Sequence, residues 1–341
     1  MRWTTWRALS AGPCRKVTVD MTVSTFAGDG TAGYRDGPGA AARFNQPAGI
    51  TVSTSGNVTV ADYSGHRIRQ ITPEGVVSTL AGSGQAGFGD GPVTSALFNR
   101  PVAIAVDSQG VIFVADHLNH RIRRITPQGV TTLAGSGSPS FADAQIGTNA
   151  GFNQPAGIAV GREGNVFVSE YGNHRIRKIT PGGSVTTLAG GGGSGSGFQD
   201  GPGADARFNY PGGIAVDGDG NVFVADWGNH RIRQVTPDGT VTTVAGSGAQ
   251  AATDGTGTAA AFDHPRGIAI DPDGSIIVTE VGGSHRIHKM IAGLTPPQGP
   301  APPQPEVASS TYFEEMKGTL GDRTHSDVAF VVKHVDHQAG G

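Results

Sequence analysis

Short runs of apolar, β-branched residues alternate along this chain with glycine-rich turns. Within one unit the runs read GIAV, NVFVAD, HRIRQIT and VTTLAG, and runs of this length bounded by turn residues predict strands. Sequences such as DGDG join the first run to the second, and sequences such as TPEG join the third to the fourth. Both are typical of tight hairpin turns. Each unit therefore predicts a sheet of four antiparallel strands.

The unit recurs five times. One histidine of each copy is separated from that of the next by 54, 54, 56 and 55 residues. A single small sheet cannot cover both of its faces, whereas a ring of such sheets can, so the repeat predicts an all-β fold, a β-propeller. Five blades is the direct count, and RKVTVDM from Arg15 is a candidate strand of a sixth. The run VSTFAG, residues 23–28, resembles a fourth strand and is expected to close the ring by completing the last blade, which lacks one.

Composition narrows the class of protein. The 341 residues include 55 glycines, 21 prolines and only 16% charged residues, which excludes a helical bundle. A net charge of -3 gives no overall attraction to nucleic acids or to anionic membranes. Cys14 is the single cysteine and cannot form an internal disulfide. No run approaches the roughly 18 apolar residues of a spanning helix. We expect a cytoplasmic protein, with an organelle transit peptide in the basic lead-in, residues 1–19, left open.

Four segments carry a family resemblance: ADYSGHRIRQIT, ADHLNHRIRRIT, SEYGNHRIRKIT and ADWGNHRIRQVT. They resemble NHL repeats, and the resemblance covers the predicted propeller, residues 20–294. It implies the propeller fold. NHL propellers include protein-binding and RNA-binding modules, and related propellers include lyases and hydrolases, so the resemblance leaves the function open.

An acid, a histidine and an arginine recur in every unit. An ion or a reaction centre needs different residues that converge on one point, whereas these recur once per blade. We therefore expect them to be structural, each acid capping a turn and pairing with an arginine of the third strand. No catalytic residue, metal ligand or cofactor is predicted. The set comprises Asp62, His66, Arg67, Asp116, His120, Arg121, Glu170, His174, Arg175, Asp226, His230, Arg231, Glu280, His285 and Arg286.

The residue after each acid differs from blade to blade. If the strands alternate in direction, the turn from the second to the third strand shares one face with the long crossovers between blades, and loops on a rigid scaffold often carry binding sites. Aromatic side chains on that face suit contacts with a protein partner. An equally open alternative is that they only wedge between neighbouring crossovers. The candidate partner-binding residues are Tyr63, His117, Tyr171 and Trp227.

The C-terminal part of the chain has a different composition. Residues 295–311 are proline-rich and predict a stiff linker. In residues 312–341, Leu320 and the run Ser326–Val332 resemble the opening of a BTB/POZ domain, and the remainder of that domain is missing. In that family the complete domain mediates dimerisation and, in many members, recruits a cullin-type ubiquitin ligase.

The function favoured by these patterns is a non-enzymatic scaffold that binds a protein on its loop-rich face. It would be a ubiquitin-ligase substrate adaptor if the BTB-like part is complete in the full gene product. The alternatives are a propeller lyase or hydrolase with a central metal site, and an RNA-binding module. Binding of RNA is disfavoured by the charge, and no membrane partner is expected.

Overall fold

The computed structural model describes residues 14–17, 23–193, 195–284 and 286–295. The five repeats form five blades of a β-propeller around a central channel, with the first strand of each blade innermost. Consecutive strands of a blade pair antiparallel, as the turn sequences predict.

The strands follow the repeat. The N-terminal pair is β1 (Cys14–Val17) and β2 (Val23–Ala27). Blade 1 contains β3 (Gly37–Pro38), β4 (Pro47–Val52), β5 (Val58–Asp62), β6 (Arg67–Ile71) and β7 (Val76–Ala81), with β3 at its outer edge. Blade 2 contains β8 (Pro101–Val106), β9 (Ile112–Asp116), β10 (Arg121–Thr126) and β11 (Gly129–Ala134). Blade 3 contains β12 (Pro155–Val160), β13 (Val166–Glu170), β14 (Arg175–Ile179) and β15 (Val185–Ala189). Blade 4 contains β16 (Pro211–Val216), β17 (Val222–Asp226), β18 (Arg231–Val235) and β19 (Val241–Ala245). Blade 5 contains β20 (Pro265–Ile270), β21 (Ile276–Glu280) and β22 (Ile287–Met290).

The helical elements are single 3₁₀ turns in the connections. They span Gly39–Ala41, His117–Asn119, Gly147–Asn149, Trp227–Asn229 and Gly257–Ala259. In the described part of the chain, no helix has the length and apolar character needed to cross a membrane.

The core lies between neighbouring blades. Each hydrophobic cluster combines residues from the facing sides of two adjacent sheets, because a blade has two apolar faces. One phenylalanine per blade, just before the first strand, fills the space between the sheets with an exposed fraction of 2% or less. These residues are Phe44, Phe98, Phe152, Phe208 and Phe262.

The structure corrects the expected closure of the ring. β2 was expected to complete blade 5, but it pairs with β1, and blade 5 has three strands among the described residues. The physical reason is that β1 and β2 are neighbours in sequence, and a short connection makes their pairing cheap in entropy. Residues 15–17 of the candidate strand RKVTVDM therefore belong to a strand that pairs with β2. Residues 1–13, 18–22 and 296–341 lie outside the described residues. The boundaries predicted after residues 19, 294 and 311, and the BTB-like segment, stay predictions.

Candidate functional site

Two kinds of loop meet on one face of the propeller. The backbone N–H of Tyr63, in the turn after β5, donates to the carbonyl of Gln46 (3.2 Å), the residue that ends the crossover into β4. The equivalent bond joins Tyr171 to Gln154 (3.1 Å) in blade 3. The predicted loop-rich face is confirmed, and the candidate site is built on it.

Beneath this face each of the first four blades buries an ion pair. In blade 2, Arg123 is fully buried and donates to Asp116 at 2.7 Å and to Asp90 of the preceding crossover at 2.6 Å. Its guanidinium also lies 5.0 Å from the ring centre of Phe88 and 5.1 Å from that of Phe98. Burial raises the pKa of Asp116, and the charge of Arg123 opposes that shift. The equivalent arginines are Arg69, Arg177 and Arg233.

The pairing arginine is therefore the second of the repeated Arg-Ile-Arg, whereas the first was the one singled out from the sequence. The first arginine lies over an exposed crossover aromatic: Arg121 is 3.7 Å from the ring centre of Phe88. It also donates to the carbonyl of Ser136 at 2.8 Å. The same stacking joins Arg67 to Tyr34, Arg175 to Phe141 and Arg231 to Phe198.

The repeated histidine links each blade to the next. His120 adopts a left-handed backbone conformation (φ 53°), and its Nδ1 accepts a hydrogen bond from the backbone N–H of Gln154 at 3.1 Å. Burial lowers the pKa of His120, which favours the neutral ring that can accept this bond. The other links of this kind join His66 to Arg100, His174 to Tyr210 and His230 to His264.

Blade 5 departs from the pattern. Glu280 accepts from the backbone N–H of Asp263 at 2.7 Å, as the other acids do at the corresponding position, but the second arginine is replaced by His288. His288 lies 3.2 Å from Glu280 and 3.5 Å from Asp254. Arg286 donates to the carbonyl of Ala252 at 2.5 Å. His285 lies outside the described residues.

Two of the four candidate residues belong to one aromatic cluster. The ring centres of Tyr171 and Trp227 are 6.2 Å apart, and Tyr210 lies 4.6 Å from Tyr171 and 6.2 Å from Trp227. Trp227 stacks on His264 at 4.5 Å. We call Tyr171, Tyr210, Trp227 and His264 the aromatic cluster; all four side chains are half-buried and span blades 3 to 5.

The other two candidates lie apart from these four rings. Tyr63 is 5.5 Å from the guanidinium of Arg100. His117 is buried, and its Nδ1 donates to the carbonyl of Pro155 at 3.0 Å. Burial, opposed by the hydrogen bond to Pro155 and assisted by the nearby positive charges, lowers the pKa of His117 to about 4. His117 is thus a fixed neutral side chain between blades 2 and 3.

Sequence reasoning missed Tyr210 and His264. Both occupy the position before the first-strand proline, where blades 1 and 3 have Gln46 and Gln154. The signal was available: FNQP becomes FNYP in blade 4 and FDHP in blade 5.

One group of side chains that shares His264 with the aromatic cluster has the residue types of a metal site. Potential ligand atoms of His230, Asp263 and His264 lie within 4.8 Å of one another. However, Nδ1 of His230 accepts from the backbone N–H of His264 (3.2 Å), which places the proton of a neutral His230 on Nε2. Asp263 is also occupied, by His264 Nδ1 at 2.8 Å and by Gln250 at 3.1 Å. Binding an ion through all three residues would require these bonds to be exchanged.

The central channel contains a cavity between the first strands of the blades. Among the described residues its lining is apolar except for the hydroxyl of Thr51. The lining residues are Thr51, Ile104, Ala105, Val106, Ile158, Ala159, Val160, Ile214, Ala215, Val216 and Ile270.

Comparison with known families and structures supports the repeat assignment. The family model described as "NHL repeat" matches residues 44–71, 98–125, 152–179, 208–235 and 262–290. Each match begins at or beside the buried phenylalanine and ends in the third strand of a blade, so its bounds agree with the structural repeat.

Two curated relatives and one solved structure are similar to this chain. Protein SUPPRESSOR OF QUENCHING 1, chloroplastic, of Arabidopsis thaliana is 30% identical over 273 residues, which are 75% of this chain and 26% of that protein. NHL repeat-containing protein 2 of Bos taurus is 29% identical over 75% of this chain and 40% of its own length. A crystal structure of an auxiliary nutrient binding protein from Bacteroides ovatus has a TM-score of 0.55 and 21% identity, covering 72% of this chain and 59% of that one. The chain thus spans between a quarter and two-fifths of the length of these curated relatives.

Proposed function

Because the chain carries five NHL repeats folded as a propeller, we propose that it binds a protein partner on its loop-rich face. The observation that carries the proposal is the aromatic cluster. Its rings come from three blades, lie within 4.5 to 6.2 Å of their neighbours and are held by a rigid scaffold. Half-buried aromatic side chains of this kind are the residues that most often anchor protein interfaces.

The surroundings of the cluster favour binding over catalysis. The repeated acids beneath it are committed to buried arginines, and the repeated histidines accept backbone hydrogen bonds. The pKa of Tyr171 is raised to about 12, mainly by burial and further by the neighbouring Tyr210, so its hydroxyl stays protonated. We therefore propose a binding module and no enzymatic activity.

The test is site-specific photocrosslinking. A photoreactive phenylalanine analogue placed at Tyr171 should capture a partner from a lysate, whereas the same residue at Val76, 47% exposed on the opposite, tight-turn face, should not. Equal capture at both positions, or capture abolished by ribonuclease, would contradict binding of a protein on this face.

A second experiment tests the side chains themselves. The double substitution Tyr171→Ala and Trp227→Ala should reduce partner binding at least tenfold, since each removes a central aromatic anchor. Val281→Ala, at the equivalent position of blade 5 and exposed, is the matched control and should bind as the wild type does. Thermal unfolding of all three proteins checks that the fold is retained.

Two finer points belong to this proposal. A role as a ubiquitin-ligase adaptor rests on the BTB-like resemblance of residues 312–341 and would be supported by co-purification of a cullin with the full gene product. A cytoplasmic location stays a prediction, and the chloroplastic relative makes import into an organelle the alternative to test with a fluorescent fusion.

A further inference from the structure

The N-terminal strand pair has the geometry of half a blade. β1 and β2 pair in the order Cys14 with Ala27, Arg15 with Thr25, Lys16 with Ser24 and Val17 with Val23, with a bulge after Cys14. In blade 1 the third and fourth strands pair as Ile68 with Ala81, Arg69 with Thr79, Gln70 with Ser78 and Ile71 with Val77, with a bulge after Ile68. The two registers coincide position by position. β1 and β2 are therefore the third and fourth strands of a sixth blade.

The pair also docks on blade 1 as a fourth strand docks on the blade that follows it. The backbone N–H of Gly28 donates to Gly39 at 2.8 Å and that of Asp29 to Ala42 at 2.9 Å. At the junction between blades 2 and 3, the backbone N–H of Gly135 likewise donates to the carbonyl of Gly147 at 2.9 Å, and that of Ser136 donates to the carbonyl of Ala150 at 2.8 Å.

The first and second strands of this sixth blade are absent from the described residues. The hydrophobic cluster on blade 1 therefore lacks the side chains that such strands would contribute. The clusters on blades 3, 4 and 5 each include a phenylalanine from the second strand of the preceding blade, namely Phe113, Phe167 and Phe223. The cluster on blade 1 receives only Phe26 and Ala27 from the N-terminal pair. Ile50 in β4 is half-buried there, as is Ile268 of blade 5, whereas the equivalent Ile104, Ile158 and Ile214 are buried.

The other side of the gap shows the same deficit. Ala105 and Ala159 in the first strands of blades 2 and 3 are buried against the next blade and Ala215 of blade 4 is half-buried, but the equivalent Ala269 of blade 5 is exposed. Ile277, at the position of the buried second-strand phenylalanines, is only half-buried. We call the gap lined by Ile50, Ala269 and Ile277, with the edge of β1, the seam.

We propose that the seam binds an antiparallel β-hairpin from a partner polypeptide, which supplies the first two strands of the sixth blade. The repeat fixes the chemistry of this hairpin. Its second strand must pair antiparallel with β1, because every other third strand pairs that way. The side chain that it places against blade 1 corresponds to the phenylalanine that blades 2, 3 and 4 each place against the next blade. Main-chain bonds to an open strand edge give affinity, and the alternate side chains give specificity. This surface is separate from the aromatic cluster, so the inference does not rest on the proposed function.

The experiment uses a synthetic peptide of residues 209–226, the inner hairpin of blade 4, added to the full chain. We expect saturable one-to-one binding by fluorescence anisotropy and a rise in the unfolding midpoint at saturation. The peptide with Phe223→Ser should bind at least tenfold more weakly, because it lacks the apolar side chain that the second strands of blades 2, 3 and 4 place against the next blade.

A protein variant locates the binding. Ala269→Arg fills the seam with a long charged side chain at an exposed position and should weaken binding at least tenfold. Thr131→Arg, exposed on the outer strand of blade 2, is the matched control and should have no effect.

Three results would overturn the proposal. The first is an absence of saturable binding, and the second is equal binding to the wild type and to Ala269→Arg. The third is binding that appears only after deletion of residues 296–341, or only when a dimer of the chain dissociates. In that case the occupant would be the chain's own C-terminal segment or a second copy.

Discussion

At the scale of single residues, the buried arginines carry the largest expected effect on stability. Arg123→Met keeps the volume of the side chain but leaves Asp116, which has no exposed surface, without its cation. Removing one partner of a buried pair typically costs about 3 to 5 kcal/mol. We expect a loss of that size in the free energy of unfolding, measured by urea denaturation.

The neighbouring arginine provides the control. Arg124 lies in the same strand with its side chain exposed, so Arg124→Met should change the free energy of unfolding by less than about 0.5 kcal/mol. Similar losses for the two variants would mean that the charge network contributes nothing specific.

His117 gives the molecule a dependence on pH. Its pKa is about 4 in the folded chain, against an ordinary value of 6.5, so between these values the folded state binds fewer protons than the unfolded state. Stability is therefore fully present above pH 6.5 and is lost as the pH falls towards 4. From pH 7.5 to pH 5 this one residue should account for a loss of about 2 kcal/mol. In His117→Gln the loss over this interval should be smaller by that amount, and an unchanged pH dependence would contradict the assignment.

At the scale of the strand and the repeat, blade 5 is the place where the pattern is weakest. His288 pairs with Val278 in the register in which Arg233 pairs with Val224. His288→Arg restores the repeated residue between Glu280 and Asp254. We expect a gain of about 1 kcal/mol, as for other consensus substitutions, measured as a higher unfolding midpoint. His288→Gln restores no charge and should give no gain.

The repeat explains which elements could be predicted. Strands such as those in VFVAD and HRIR were evident because their periodicity and turn residues recur at a fixed interval. Which of Arg121 and Arg123 forms the buried ion pair was not evident, since alternation puts both side chains on one face of the sheet. Only the path of the crossover decides which of them contacts Asp90. Tyr210 and His264 were not predicted because they lie in the crossovers rather than after the acid, and only the way in which crossover and turn meet brings them beside Tyr171 and Trp227.

The N-terminal strand pair shows a second limit of prediction from the sequence. The sequence VSTFAG identified β2 as a fourth strand, but a blade can be completed from either end of the chain, and local pattern cannot choose between them. The decision comes from β1, which overlaps the candidate strand RKVTVDM and pairs with β2 in the register of a third strand with a fourth.

At the scale of the whole molecule, the ring of blades in the described part of the chain is not closed between blade 5 and the N-terminal strand pair, and closing it should raise the stability of the chain. A propeller is stable because every blade is covered on both faces, and here Ala269 and Ile277 of blade 5 lack that cover. Supplying the missing strands within the chain would convert the seam into an ordinary junction. The change is a replacement of residues 1–13 by a copy of residues 208–231, which places a first and a second strand directly ahead of Cys14.

The register sets the join, because Cys14 corresponds to Ile232, the residue that follows the copied segment in blade 4. Burying one aromatic side chain contributes about 2 kcal/mol, so we expect the thermal midpoint to rise by roughly 5 °C. The same replacement with Phe223→Ser in the copied segment should give much less, since the hairpin would lack the group that fills the cluster on blade 1. The completed ring should also no longer bind the free hairpin peptide. A midpoint that fails to rise, with peptide binding retained, would show that the seam is not the missing half of a blade.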